Sequence, residues 1–292
     1  MKTYLTLILI CVPLLLWSQK NREFTMDQSF NLADNGTIHM NTDDADVKIT
    51  GTSRDKVQVV IYRKIKQGGL RWGDEEDITV EVYNRDGDLY ISDRQNKGSS
   101  WTLMGYSYED YRITIEAPTN AKLEIKGDDD DYVIRNIHGD IDLTVDDGDV
   151  ELLDCRGSKF AFRIDDGDVT MNTGKGELYA DIEDGDLEIA NASFRELVAK
   201  ADDGNISVET SLNSLGNYKI SCDDGYVELS ITGGGGNFDI DHDDGRISAS
   251  SQYDLIDKSE HSSNYKLPGG NASVLIRADD ASIRLRTNKE NN

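Results

Sequence analysis

Apolar residues alternate with polar ones over most of the chain, and the alternation is broken at regular intervals by one short acidic phrase. Val145-Asp146-Asp147-Gly148-Asp149-Val150 returns as Ile164-Asp165-Asp166-Gly167-Asp168-Val169 and continues onward. Taking the residue after the acidic pair as an anchor gives Gly148, Gly167, Gly185, Gly204, Gly225 and Gly245, spaced by 19, 18, 19, 21 and 20 residues. The same frame reaches Ala45, Gly87, Asp130 and Ala281, so ten units can be aligned within the chain. Seven residues before the anchor every unit has an apolar or aromatic residue, from Ile38 to Val274, and so it has two residues after, from Val47 to Ile283. The positions five before and four after behave alike, with mostly polar residues between them. A period of two over short runs is the signature of strands with one buried face. A fixed repeat of this length means stacked structural units.

Two architectures satisfy the frame. In one, each unit is a coil of a parallel β-solenoid, with like positions stacked about 4.8 Å apart. In the other, each Asp-Gly is the two-residue turn of an antiparallel hairpin. A type I′ hairpin turn needs positive φ at both central residues, and Ala45, Asp130 and Ala281 fill the anchor poorly for that purpose. The expectation is therefore an all-β chain forming a parallel β-helix with coils of 18 to 21 residues. The position three before the anchor, which includes Cys222 and His242, points inward at a narrowing corner. Length variation is confined to the opposite corner, as in Thr232-Gly233-Gly234-Gly235-Gly236.

Residues 19–120 are less regular and read as an N-terminal cap with the first irregular coils, because a solenoid needs atypical units over its open end. Residues 121–250 form the regular array. Residues 251–292 hold an irregular coil, one last unit at Asp279-Asp280 that closes the chain, and a polar tail. Residues 1–18, with Lys2 ahead of the apolar run Leu5 to Trp17, read as a secretory signal peptide cleaved after Ser18. Its apolar core is short for a membrane span, and Ile10 before Cys11 speaks against lipidation. No transmembrane segment is expected after cleavage. The expected location is outside the cytoplasm, in the periplasm, at the cell surface or secreted.

Charge narrows the partners. The chain carries 31 Lys and Arg against 56 Asp and Glu, and loss of Lys2 with the signal peptide brings the formal charge to −26. That balance excludes nucleic acid as a partner. Cys155 and Cys222 lie about four coils apart, roughly 19 Å of stacking, too far for a disulfide. The fold must then rest on its core.

The acidic corner is the first candidate for chemistry. The residue before the anchor is Asp in all ten units, and the one before that is acidic in all but the unit with Arg85. One reading makes the Asp an acceptor for backbone N–H groups, with Gly supplying an unusual φ. The other is a Ca²⁺ ladder held by Asp128, Asp129, Asp146, Asp147, Asp165, Asp166, Glu183, Asp184, Asp202, Asp203, Asp223, Asp224, Asp243 and Asp244. Stacked carboxylates repel by roughly 1 kcal/mol per neighbouring pair in water, and oxygen-seeking Ca²⁺ relieves that. A polysaccharide-cleaving enzyme would need a carboxylate pair that occurs once, whereas these acids recur in every unit. His39, His138, His242 and His261 lack metal spacing, and His242 reads as a satisfied buried side chain. No catalytic residue is named.

Aromatics give a second candidate. Tyr62, Trp72, Tyr83, Tyr90, Trp101, Tyr106, Tyr108 and Tyr111 crowd the section before Arg112. Rings beside polar groups stack on sugars or bury in protein interfaces, and they also serve to cover an open solenoid end. A localised ligand site would involve Trp72, Trp101, Tyr106 and Tyr108, on the loops Gln67 to Glu75 and Asn96 to Tyr108.

With the apolar leader, the strand Arg112 to Pro118 and the serial Asp-Gly-Asp-Val units in view, the chain resembles the bacterial putative-adhesin family of β-strand repeats over residues 30 to 286. It is also similar to auto-transporter adhesin head domains. The resemblance implies a parallel β-helix and an exported, cell-envelope protein. Family repeats more often read Ser-Gly-Asp-Ile or Asn-Gly-Ser-Ile at the corner, so the doubled Asp is a departure, and no catalytic residue carries over. The combined expectation is a non-enzymatic envelope binding protein or adhesin whose partner is a glycan or an envelope or host protein, its acidic corners serving either as structural turns or as Ca²⁺ sites. The alternatives are a polysaccharide-acting β-helix enzyme and a periplasmic scaffold or sensing protein. The sequence leaves the oligomeric state open.

Overall fold

Every residue seven positions before the anchor is buried, and nine of the ten two positions after it are as well, with Ile247 half-buried. The structure, a computed structural model, describes residues 19–73, 79–93, 100–243 and 245–287, and the side chains of 22–66, 79–93, 108–243 and 245–287. The described residues form 22 strands and no helix.

In the regular array the strand before each corner pairs parallel and in register with its counterparts. Ile141 faces both Leu123 and Phe160, and Phe160 faces Leu178. The strand after each corner does the same, with Val150 between Tyr132 and Val169. One-residue slips would turn each apolar set outward, so the buried face fixes the register. The inward residues merge into one continuous core, in which Cys155 and Cys222 are buried free thiols.

The corner glycines have two reasons to be glycine. Their φ lies between 133° and 157° at Gly148, Gly167, Gly185, Gly204 and Gly225, where side chains are strained. A Cβ on Gly185 would also stand 2.1 Å from the carbonyl oxygen of Gly167, and one on Gly204 1.9 Å from that of Gly185. Each corner is therefore packed against the backbone of the corner below.

Both ends depart from simple stacking. At the N-terminal end the Gly87 unit is the hairpin that the sequence offered as an alternative: Val80–Arg85 pairs antiparallel with Asp88–Asp93. Asp86 and Gly87 form its turn with φ of 54° and 95°, as a type I′ turn requires. The strand Thr37–Thr42 lies between this hairpin and Lys122–Asp129. On the other side of the coil, Asp46–Thr52 lies between Asp131–Arg135 and the long strand Ser100–Pro118. Antiparallel strands Lys56–Gly73 and Gln19–Asn31 extend that side further.

At the C-terminal end the last unit does not close the stack. The strand Ala272–Ala278 pairs with Asn217–Gly233 on one side and Gly236–His242 on the other. Ser282–Thr287 likewise lies between residues 226–231 and Ile247–Ala249. The final coil is inserted between two coils that precede it in sequence. Antiparallel strands Ser262–Leu267 and Asp254–Lys258 then cover the outer side of Gly236–His242.

Candidate functional site

The parallel register aligns the residues before the anchors in one column. Asp129 faces Asp147, which faces Asp166, followed by Asp184, Asp203 and Asp224. All six are exposed, as are Asp128, Asp146, Asp165, Glu183, Asp223 and Asp243, while Asp202 is half-exposed. Asp244 lies outside the described residues. Asp147 and Asp184 hold protons above the ordinary aspartate range, from loss of hydration within the stack and from the negative neighbours Asp129, Asp166 and Asp203. At Asp147 and Asp184 the like charge of the neighbouring coils therefore acts directly on the carboxyl.

The capping role belongs to a different acid. Asp131 Oδ1 accepts the backbone N–H of Asp149 at 3.0 Å, Asp149 that of Asp168 at 3.0 Å, Asp168 that of Asp186 at 2.8 Å, and Asp186 that of Asn205 at 2.8 Å. These are the residues just after the anchors. The expectation that the acid before Gly caps the backbone is thus corrected: the acceptor sits two positions later and reaches to the next coil. Its signal was present in the sequence as Asp46, Asp88, Asp131, Asp149, Asp168 and Asp186, with Asn205 ending the run. Asp149→Ala should cost about 1 kcal/mol in urea denaturation, since the Asp168 N–H loses its partner but remains near water. Asp149→Asn keeps an acceptor and should cost less.

Carboxylates close enough to share one ion occur, among the described residues, where the first coil meets the array. Oxygens of Asp43, Asp44 and Asp129 lie within 4.8 Å of one another. Asp46, Asp131 and Asp147 line the same shallow depression. Burial, together with Glu109 and Asp129, pushes the Asp44 carboxyl above its ordinary range.

Directly beneath this surface is a buried polar cluster that joins the antiparallel N-terminal strands to the parallel strands beside them. Asp130 stands where most other units have Gly and is fully buried. Its Oδ1 accepts the Ala45 N–H at 2.5 Å, and its Oδ2 accepts from Thr42 Oγ1 at 2.9 Å and Tyr132 OH at 3.0 Å. Burial still drives its pKa up against those bonds. Asp93, with a side chain 4% exposed, lies 3.4 Å from Arg63 Nη1, and Arg63 Nε donates to Glu109 at 2.5 Å. Burial pushes Asp93 up to about 6, opposed by Arg63. The guanidinium also lies 4.4 Å from the centre of the Tyr111 ring, whose buried hydroxyl has no partner.

The aromatics separate into distinct groups. Trp72 and Trp101 are directly opposed in the antiparallel pair of Lys56–Gly73 with Ser100–Pro118, and Tyr106 and Tyr108 pair with Gly68 and Lys66. The side chains of Trp72, Trp101 and Tyr106 lie outside the described residues. Tyr108 is 55% exposed beneath the Lys66 ammonium, 5.7 Å from the ring centre. A second group, only partly anticipated, is a row of three stacked rings on the outer face of the first strands. His39 stacks on Tyr90 at 4.5 Å and Tyr90 on Tyr83 at 5.3 Å. Cross-strand register puts them side by side. His39 Nδ1 lies 3.1 Å from Glu124, and the rings border a cleft that Asn41, Ser92 and Lys126 complete. Tyr83 ends the row, 45% exposed.

The remaining histidines do not converge. His261 Nδ1 is 3.0 Å from Asp243, and His138 is exposed. Both ring nitrogens of His242 are enclosed without a hydrogen-bond partner, contrary to the expectation of a satisfied buried side chain.

The chain is similar to a putative adhesin from Bacteroides fragilis NCTC 9343, at 14% identity over 90% of this chain and 97% of that one, with a TM-score of 0.43. It is also similar to a putative cell adhesion protein from Clostridium sporogenes ATCC 15579, at 16% identity over 92% of this chain and 100% of that one, with a TM-score of 0.26. A putative lipid binding protein from Parabacteroides distasonis ATCC 8503 shares 13% identity over 91% of this chain and 96% of that one, with a TM-score of 0.33. No curated protein matches the chain. The sequence profile of the family described as Toastrack DUF4097 spans residues 35–286, and the chain belongs to that family.

Proposed function

We propose that the chain is an exported, non-enzymatic binding protein of the bacterial cell envelope, adhesin-like in role and built as a parallel β-helix with irregular ends. The observation that carries this reading is the in-register column of uncovered carboxylates from Asp129 to Asp224, in which Asp147 and Asp184 already resist ionisation. A fold that leaves such a column unneutralised offers it to cations from outside. Ca²⁺ suits the all-oxygen ligands and their spacing, and it is bound most tightly where Asp43 and Asp44 join Asp129. The partner is a glycan or an envelope or host protein, received at the outer face of the first strands, where the stacked His39, Tyr90 and Tyr83 rings lie beside Glu124 and Lys126.

The direct test is a thermal melt of the mature protein in millimolar Ca²⁺, in equal Mg²⁺, and in chelator at matched ionic strength. A ligand that binds only the folded state stabilises it by about 2.7 kcal/mol at a hundred times its dissociation constant. A rise confined to Ca²⁺ is expected, and Asp129→Asn should reduce it. Equal melts in all three buffers would remove Ca²⁺ from the reading and leave the ring row to carry it. Capture of partners from envelope extracts on wild type and Tyr83→Ala then separates an adhesin from a periplasmic scaffold.

A further inference from the structure

The two ends of the stack are cut unevenly, and the cuts match. The strands before the corners form one side of the core and the strands after them the other. At the N-terminal end the first side stops at Val80–Arg85, which among the described strands pairs only with Asp88–Asp93. The second side runs one strand further, to Gln19–Asn31. In that last strand Met26 and Phe30 are only half-buried and Gln28 is exposed, although their register partners Ile61, Val57 and Val59 are all buried. No described strand lies across from them. At the C-terminal end the imbalance is reversed. The second side stops at Ile247–Ala249, whereas the first continues through Ser262–Leu267 to Asp254–Lys258. This outermost strand leaves Leu255 and Ile256 53% and 67% exposed.

Each end supplies what the other lacks. Asp254–Lys258 runs in the direction of the array strands and Val80–Arg85 runs against it, so laid side by side the two are antiparallel. One register row crosses the whole first side, from Asn84 through Leu89, Ile38 and Leu123 at one end to Val274, Phe238, Tyr265 and Leu255 at the other. One step along from its two ends stand Arg85 and Asp254, both exposed and opposite in charge. We propose that copies of this chain join end to end, Asp254–Lys258 of one adding to the edge of Val80–Arg85 in the next. Arg85 then meets Asp254, and Leu255, which lies in the inward row, covers the vacancy above Met26 and Phe30. A joint between unlike surfaces does not close on itself, so it gives open rows of copies and not a dimer. The irregular pairing next to Ile256 blunts the edge and keeps the joint weak. The joint is made by strand edges and depends neither on Ca²⁺ at the corners nor on a partner at the ring row.

The test is sedimentation velocity of the mature protein in chelator, from micromolar to submillimolar concentration, so that cations bridging the acidic columns play no part. Wild type should grow with concentration past the dimer. Arg85→Asp and Asp254→Arg should each weaken association about tenfold by setting like charges against each other, and the double variant should recover it. Mixing the two single variants should recover it too, because each keeps the end that the other has lost. Ile256→Lys should weaken it as well. A monomer at every concentration, or growth that ends at a dimer, would overturn the joint. So would single variants that associate like wild type, or a double variant no better than the singles.

Discussion

Arg63→Leu is expected to lower the stability of the fold by about 3–5 kcal/mol at pH 7, the usual consequence of removing one partner of a buried ion pair. Arg63 is the cation shared by Asp93 and Glu109, and without it the Asp93 carboxylate is left charged and enclosed where the antiparallel N-terminal strands meet the parallel array. The loss should depend on pH in a defined direction. Asp93 has a folded pKa of about 6 against an ordinary 3.8, so the folded state binds this proton more tightly than the unfolded chain. Its contribution is fully present below 3.8 and is lost as pH rises through about 6. From pH 7 to pH 4 that amounts to at most about 3 kcal/mol in favour of folding. The Arg63→Leu defect should therefore shrink as the buffer is acidified. Asp93→Asn should flatten the slope of stability against pH between 4 and 7 relative to wild type. Urea denaturation of the three proteins at pH 4.5, 6 and 7.5 reads both effects. Parallel slopes for wild type and Asp93→Asn would show that the cluster does not titrate.

Gly185→Ala is the second large effect, with an expected cost of about 3 kcal/mol or more, combining an unfavourable φ with overpacking against backbone. The added Cβ meets the Gly167 carbonyl oxygen at 2.1 Å with φ at 144°, and a stacked backbone cannot withdraw as a flexible side chain would. Gly233→Ala is the control, since its Cβ would find nothing nearer than the Ser211 side chain at 3.8 Å. It should shift stability by less than about 1 kcal/mol in either direction. If Gly185→Ala melted like Gly233→Ala, the corners would not be held by backbone contact.

The inward columns could be read from the sequence because burial acts on each unit separately. Phe160 and Leu178 had to face the core whatever lay above them. The order of the coils could not be read, because it depends on which unit meets which. The sets Val274, Ile276, Ile283 and Phe238, Ile240, Ile247 are equally good neighbours for Tyr218, Ile220 and Val227, so periodicity does not distinguish the inserted order from the sequential one. The hairpin at Gly87 did leave a trace. Its unit is the one in which Arg85 replaces the first acid, and among the described corners it alone turns back on itself. The acidic corner was legible as a feature and misread in its parts, because attention to the doubled Asp hid the Asp on the far side of Gly that bonds the backbone. Asp130 in an anchor position also looked like a poor glycine, whereas it is the buried acceptor for Ala45, Thr42 and Tyr132. The ring row needed strand order, since His39 and Tyr90 are separated by 51 positions and meet only through the pairing of their strands.

The inserted final coil makes the chain an all-or-none product of synthesis. A simple solenoid can add coils as they emerge and remain paired along its growing edge. Here residues 217–231 and 236–249 both wait for a partner that is made last, so a nascent or truncated chain ending before Ala272 holds two open strand edges. Such edges invite pairing with other chains. Termination just before the last coil should therefore yield aggregating protein instead of a shorter stack, so the residues made last decide whether the edges made earlier are ever covered.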